Sequence, residues 1–256
     1  MTVNTTAPFL QVDQLSVSFP NGDGNLDVLD RISFYVRQSE FVCLLGPSGS
    51  GKSTLLRILA GLLPYQDGQV VLDGRLLDGP RAGVGMVFQK ANLMPWRTVR
   101  ENIQLPLDLG QVAEKEAAKI VGELIELVGL NGFEETLPRD LSGGMAQRVA
   151  IARSLVHDPG LLLLDEPFGA LDALTRERMA GELLQVWHAR RKTVFMVTHD
   201  IGEALFLADR VLAFSDRPAQ ITLDLTVDLP RPRRLEMRYT SEFGSMALLL
   251  RHALGA

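Results

Sequence analysis

The sequence has a single cysteine, few aromatic residues and no long hydrophobic run. One cysteine in 256 residues excludes a disulfide framework and fits a reducing compartment. No apolar stretch approaches the roughly 18 residues of a transmembrane helix, so we expect other subunits to supply any membrane-spanning part. The N-terminal segment lacks the basic and apolar regions of a signal peptide. These features predict a soluble, cytoplasmic chain.

An excess of positive charge is also missing. Lysine and arginine number 26 against 31 aspartates and glutamates, which leaves a formal net charge of -5 and gives no reason to expect nucleic acid as a partner. The hydrophobic share of 46% and the charged share of 22% are ordinary for a globular protein. The length allows one large domain or two modest ones.

Short apolar runs alternate with helical patterns, which predicts an α/β fold with a mostly parallel, buried sheet. The predicted strands cover residues 41–45, 83–88, 161–164 and 194–197. Between Pro95 and Leu155 strand signals stop, and the apolar residues of "EKEAAKIVGELIELVGL" recur at helical spacing. We interpret residues 92–155 as an inserted helical subdomain. A tail, 230–256, begins near the segment "LPRPRR" and is predicted to contain a short helix near 240–254.

The stretch "GPSGSGKST" follows an apolar strand and precedes a helical pattern, the context that confirms the G-x-x-x-x-G-K-[ST] phosphate loop. Glycines let backbone N–H groups converge on an anion, and the helix N-terminus adds partial positive charge. The lysine is suited to neutralise β- and γ-phosphates, and the first hydroxyl to ligate Mg²⁺. A glycine-rich turn that only caps a helix is the structural alternative. The residues expected to hold the nucleotide are Gly46, Pro47, Ser48, Gly49, Ser50, Gly51, Lys52, Ser53 and Thr54.

A second acidic site follows the strand "LLLLDEP". Asp165 is suited to a water-mediated contact with Mg²⁺, and Glu166 is suited to polarise an attacking water. The alternative is an ordinary acidic turn at the end of a strand. Together with the phosphate loop, the pair predicts hydrolysis of a nucleoside triphosphate.

The stretch "LSGGMAQRVAIARSL" resembles the signature motif of ATP-binding cassette (ABC) proteins. Ser142, Gly143 and Gly144 stand where a helix is predicted to begin, so a hydroxyl and amides can face an anion. In the family, two cassettes close head to tail around two ATP molecules, so the resemblance implies a second copy of this chain as partner. The family usually has glutamine where Met145 stands, which puts a polar contact near the partner's ribose in doubt.

Further family elements appear in order along the chain. Gln89 resembles the glutamine that contacts Mg²⁺ and the attacking water, and "GALD", ending at Asp172, resembles the loop that touches the partner copy. His199 matches the histidine that hydrogen-bonds the γ-phosphate, and Phe19 stands where the family stacks an aromatic ring on adenine. Taken singly, His199 is an ordinary strand-end histidine and Phe19 an ordinary core residue. The resemblance implies ATP and Mg²⁺ as cofactors, with Ser53, Gln89 and Asp165 at the metal.

The absence of fused membrane segments, a second cassette or coiled-coil insertions favours an importer subunit that docks on separate permease chains. Residues 93–107 and 211–233 resemble the nitrate, sulfonate and taurine importer group; the alternative is packing segments with generic prolines. The resemblance implies a small anionic nutrient, an indirectly engaged solute-binding protein and a peripheral place on the cytoplasmic face of the membrane. An importer of another small solute, or a non-transport ATP-dependent interaction protein, remains an alternative. A cassette of this kind does not contact the transported molecule, so its sequence does not specify that molecule.

The implied architecture is a P-loop NTPase (RecA-like) core with an N-terminal antiparallel β region. We expect an ATP-binding domain over 9–229, with core segments 9–91 and 156–229 around the helical subdomain. The apolar cluster Leu93 to Trp96 is predicted to border a groove for a cytoplasmic permease helix. Packing of Trp96 into the cassette's own core is the alternative.

Overall fold

The computed structural model describes residues 8–22 and 24–255. Residues 1–7, on which part of the leader-peptide expectation depends, lie outside it. The chain divides into two compact units: one contains the described residues up to Arg81 and from Lys192 onward, and the other spans Ala82–Arg191. In the described part of the chain, no helix is both long and apolar enough to cross a bilayer.

The first unit contains an antiparallel sheet. Its strands, in the order β2-β1-β4-β5, are β1 (Leu10–Asn21), β2 (Gly24–Val36), β4 (Asp67–Leu72) and β5 (Arg75–Leu76). β1 pairs with β2 and with β4, and bulges interrupt both registers. Left-handed backbone at Gln14 and Arg31 accompanies these irregularities. This sheet is the predicted N-terminal antiparallel region.

The same unit contains a second group of strands around β3 (Phe41–Leu45), all five residues of which are buried. β3 is parallel to β8 (Thr193–Thr198) on one side and to β9 (Arg210–Phe214) on the other, and β10 (Ile221–Thr226) runs antiparallel to β9. A strand buried on both faces needs a continuous apolar run, which "FVCLL" provides. Among its described residues this unit has three α-helices, α1 (Lys52–Leu59), α6 (Ile201–Leu207) and α7 (Ser241–Ala253), and a 3-10 helix at Leu235–Tyr239.

The second unit contains one parallel strand pair, β6 (Val84–Val87) with β7 (Leu161–Asp165). Four α-helices belong to it, α2 (Val99–Leu109), α3 (Glu114–Leu127), α4 (Gly143–Leu155) and α5 (Ala173–Arg190), together with a 3-10 helix at Pro138–Asp140. α3 buries Ala117, Val121 and Leu124 of the apolar stripe seen in the sequence, together with Ile125. The α/β class is therefore confirmed, while the domain boundaries 9–229, 92–155 and 230–256 stay a prediction.

Candidate functional site

The phosphate loop joins β3 to α1 in the first unit. α1 begins at Lys52, its N-cap Gly51 has φ 100° in the left-handed region, and no side chain caps its first turn. That turn also contains no acidic residue. The first N–H groups of a helix have no partner within the helix, so this end presents donors and partial positive charge to an anion.

Glycine is required at two places in this loop. A Cβ on Gly46 would stand 2.9 Å from both Cβ of Phe214 and Oγ of Ser50, closer than real side chains approach. A Cβ on Gly51 would stand 2.7 Å from Cγ1 of Val28, at a φ that favours glycine. The tight fold of the loop therefore depends on these two glycines.

Lys52 and Ser50 point inward and fit a phosphate ligand. Lys52 is 5% exposed, and its Nζ donates to the carbonyl oxygens of Gly46 at 2.9 Å and Pro47 at 2.7 Å. The Oγ of Ser50 is buried and has no hydrogen-bond partner among the described residues. A buried hydroxyl of this kind is satisfied by a hydrogen-bonding ligand. A triphosphate supplies oxygens for both groups.

His199 lies beside this loop. Leu45 and Thr198 are partners in the parallel β3–β8 register, so Gly46 and His199 leave neighbouring strands at the same edge. His199 is exposed. Its backbone is fixed because the N–H of Asp200 donates to Oγ1 of Thr198 at 3.1 Å, and Asp200 in turn caps α6 through the N–H of Glu203. This capping arrangement was not among the sequence predictions, although D-x-x-E before an apolar run is a signal for an N-cap.

Phe19 lies near the end of β1, opposite Leu26 of β2, and is half-buried. A half-buried ring keeps one part in contact with the sheet and another open to a ligand. This placement is compatible with the adenine contact, which stays a prediction.

The second unit brings Gln89 and Glu166 together. Val87 pairs with Leu164 in the parallel β6–β7 register, so both residues follow neighbouring strands. A Cβ on Gly169 would stand 3.4 Å from Nε2 of Gln89 and 3.4 Å from Oε2 of Glu166. Glu166 has φ 43°, an unfavourable conformation for a side chain with a Cβ. Such strain is found where a side chain has to be aimed, which supports a functional role.

Asp165 is the last residue of β7 and is 8% exposed. The described residues contain no cluster of three or more histidine, cysteine, aspartate or glutamate side chains that could hold a metal ion. Mg²⁺ is usually held by one or two carboxylates together with waters and substrate phosphates. The carboxylate of Asp165 is the kind of ligand this requires.

The signature stretch begins α4 as predicted. Ser142 is the N-cap, and its Oγ accepts from the N–H of Met145 at 3.3 Å. A Cβ on Gly144 would lie 3.3 Å from Cγ2 of Thr175, so this helix end packs closely against the start of α5. Farther along α4, the buried Gln147 donates to the carbonyl of Phe88 at 3.4 Å. Gln147 thus connects the signature helix to the residue before Gln89, a link that the sequence analysis missed.

Asp172 is the N-cap of α5, and its carboxylate accepts from the N–H of Thr175 at 3.0 Å. That backbone hydrogen bond lowers the pKa of the exposed carboxyl. The next residue but one, Leu174, is 80% exposed. An ionised carboxylate beside an exposed leucine is an arrangement that suits contact with another molecule.

Trp96 is 73% exposed, so the alternative of a core position is wrong. The segment that presents it is rigid because Asn102, fully buried in α2, donates from Nδ2 to the carbonyl oxygens of Met94 and Arg97 and accepts from the N–H of Met94. Arg153, near the end of α4, donates to the carbonyl oxygens of Ala91 and Asn92. The two residues that directly precede the apolar segment are therefore bonded to α4, the helix that Ser142 caps.

The comparisons with known proteins agree with this chemistry. The model of the ABC transporter family matches residues 29–169. The chain is 47% identical to a nitrate import ATP-binding protein of Synechocystis sp. over 86% of this chain and 83% of that protein. It is 48% identical to a taurine import ATP-binding protein of Rhizobium johnstonii, covering 87% and 85%. An aliphatic sulfonates import ATP-binding protein of Bacillus cereus is 44% identical, covering 88% of each.

Solved structures agree as well. A dimeric ATP-binding cassette in a post-hydrolysis state, bound to ADP and phosphate, matches with a TM-score of 0.75 at 31% identity, covering 86% of this chain and all of that one. The P-loop NTPase core predicted from the motifs is thereby confirmed. The individual roles of the site residues stay predictions.

Proposed function

The chain belongs to the ABC transporter family, and from this membership we propose that it is the ATP-hydrolysing subunit of an importer for a small anionic nutrient of the nitrate, sulfonate or taurine type. The observation that carries the proposal is that similar proteins, matched over most of their length, are import ATP-binding proteins for these nutrients. Such a subunit binds and hydrolyses ATP, and separate permease subunits form the path for the solute.

The nucleotide's phosphates are bound by the loop 46–54. Its backbone N–H groups and the ammonium of Lys52 face the negative charge, and Phe19 stacks on the adenine. Mg²⁺, when bound, neutralises charge on the β- and γ-phosphates. Ser53, Gln89 and Asp165 are the residues that would hold it.

Hydrolysis requires a general base for the attacking water and a hydrogen-bond donor to the γ-phosphate. Glu166 accepts the proton of the attacking water, and its constrained backbone aims the carboxylate. Gln89, which lies beside Glu166 at Gly169, orients that water. His199 donates a hydrogen bond to the γ-phosphate as negative charge shifts during bond cleavage.

Two copies complete the sites. We place Ser142, Gly143 and Gly144 of one copy at the nucleotide held by the phosphate loop of the other, with Asp172 at the contact between copies. The support is the dimeric state of the matching solved cassette, together with the exposed Leu174 beside Asp172. Each site then depends on both chains, so hydrolysis is coupled to closure of the dimer.

The permease contacts the segment from Leu93 to Trp96. Exposed tryptophan is costly to leave in water and is enriched at interface hot spots, and Asn102 keeps this one presented on a rigid backbone. Because Gln147 and Arg153 join α4 to residues 88–92, a movement of the signature helix is transmitted to the permease contact. We infer that the chain acts on the cytoplasmic face of the membrane, where ATP is available. A solute-binding protein acts indirectly, through the permease.

The test is reconstitution. The purified chain should release phosphate from ATP when Mg²⁺ is present, and Lys52→Ala should abolish this. In proteoliposomes with its permease and binding protein, the chain should drive uptake of nitrate, a sulfonate or taurine. Uptake of a cation or sugar alone would overturn the substrate class. ATP binding without hydrolysis under any of these conditions would favour an interaction protein.

A further inference from the structure

The turn that follows β9 places Arg217 against the phosphate loop. Nη2 of Arg217 lies 3.4 Å, and its Cζ 3.9 Å, from the position that a Cβ on Gly49 would occupy. Gly49 has φ +80° and is exposed at the tip of the loop. The guanidinium group therefore rests on the backbone of the loop that the proposed function assigns to the triphosphate.

The turn itself is held firmly. The N–H of Ser215 donates to the carbonyl of Gln220 at 3.0 Å, and the N–H of Gln220 donates to Oγ of Ser215 at 3.0 Å. The N–H of Ala219 donates to the carbonyl of Val28 at 2.9 Å. The side chain of Val28 also packs against Gly51 of the phosphate loop. One residue of β2 thus contacts both the turn and the loop, which keeps the backbone of Arg217 next to the phosphate loop.

The guanidinium of Arg217 has donors available. It is exposed, and within residues 8–22 and 24–255 it makes no hydrogen bond or ion pair. Two arginines of the same unit are engaged, by contrast: Arg210 pairs with Glu40 and Asp224, and Arg231 pairs with Asp209. A planar guanidinium with five donors matches phosphate oxygens in pairs, which a lysine cannot do.

The charge that Lys52 provides is enclosed within the loop, where Nζ is bonded to two carbonyl oxygens. Arg217 approaches the same loop from a different element. We propose that Arg217 is a second cationic contact for the phosphates of the bound nucleotide and contributes to affinity for the triphosphate. The proposal rests on the proposed function, because it concerns the same nucleotide.

The experiment compares Arg217→Ala, Arg217→Lys and the control Arg251→Ala by titration calorimetry of the full chain. Arg251 lies on α7, is exposed and has no side-chain hydrogen bond or ion pair in the described part of the chain, so its removal changes net charge equally. Each protein is titrated with ATP and with inorganic tripolyphosphate, in the presence of Mg²⁺. Tripolyphosphate carries the phosphates without the base, so it isolates the contact in question.

We expect Arg217→Ala to weaken binding of both ligands by about 3- to 10-fold, as for an exposed charge-assisted contact. Arg217→Lys should recover part of the loss, and higher salt should reduce the difference. In steady-state ATPase assays the loss of affinity should appear as a higher KM for ATP.

Equal affinities of Arg217→Ala and Arg251→Ala for both ligands would overturn the proposal. Normal binding together with loss of the ATP-dependent dimer would also overturn it, because Arg217 would then contact the second copy. Failure of the wild-type chain to bind ATP would instead overturn the proposed function. The two failures are therefore distinguishable.

Discussion

Gln89 and Glu166 flank one glycine at the ends of two neighbouring parallel strands. Nε2 of Gln89 and Oε2 of Glu166 each lie 3.4 Å from the position of a Cβ on Gly169. The amide of Gln89 follows β6 and the carboxylate of Glu166 follows β7, so their proximity results from the β6–β7 pairing. A hydrogen-bonding amide next to a constrained carboxylate is suited to orient one water molecule between two polar groups.

Phe19→Ala should raise KM for ATP and leave the turnover number at saturating ATP largely intact. Stacking of a base on an aromatic ring is worth about 1–3 kcal/mol, so a rise in KM of about 5-fold or more is expected. Phe19→Tyr keeps the ring and should bind ATP like the wild type. Steady-state phosphate release at varied ATP measures both variants. If KM of the alanine variant is unchanged, adenine is held by another part of the chain.

Trp96→Ala should preserve the ATPase activity of the isolated chain while reducing transport and co-purification with the permease. Trp96 is exposed, so its removal leaves the core intact. The remaining tryptophan, Trp187, is 4% exposed and reports folding by its fluorescence. Leu109→Ala removes another exposed apolar side chain, 79% exposed, and serves as the control. Normal uptake by the Trp96 variant in proteoliposomes would exclude the docking role.

Cys43 should be protected from thiol reagents in the folded protein and should react fully in denaturant. It is completely buried in β3, between Met196 of β8 and Val211 of β9. Burial, with smaller contributions from the carboxylates of Glu203 and Asp209, raises the pKa of the thiol well above its ordinary value. Reaction of the native protein within minutes at pH 8 would contradict this packing.

The raised pKa of Cys43 makes the stability of the fold depend on pH. The folded chain keeps the Cys43 proton at a pH where the unfolded thiol, with a pKa of about 8.5, has lost it. The contribution of the Cys43 thiol to the free energy of unfolding is therefore fully present below about pH 8.5 and decreases as pH rises above that value. Urea unfolding of the wild type and Cys43→Ala between pH 7 and 10 measures this. A wild-type free energy of unfolding that falls no faster than that of the variant would contradict it.

Much of the fold could be predicted because its central strands are buried on both faces. β3 and β7 are continuous apolar runs, and Ser142 marks the start of α4 by an ordinary capping signal. The long strands β1 and β2 were predicted only as a region, because bulges break the alternation of buried and exposed residues. The 18-residue helix α5 was not predicted at all.

The candidate site, like the fold, could be predicted from the sequence only in part. Motif spacing identifies the phosphate loop and the acidic pair, because the residues of each motif lie close together in the sequence. Contacts such as that of Gln147 with Phe88, or of Arg217 with Gly49, join residues that lie far apart in the chain. No local pattern encodes such pairs, and they become visible only when the strands and helices are assembled.

The most direct test of the account is the mass of Glu166→Gln by light scattering, with and without ATP. The amide keeps the size of the side chain and removes the base, so hydrolysis should slow by about 10²- to 10⁴-fold while ATP binding persists. Glu116→Gln, on the exposed first turn of α3, is the matched control and should hydrolyse ATP normally. The account predicts that ATP doubles the mass of the Glu166 variant, by trapping two chains around the bound nucleotide. Wild-type hydrolysis by this variant, or a mass that stays monomeric at saturating ATP, would contradict it.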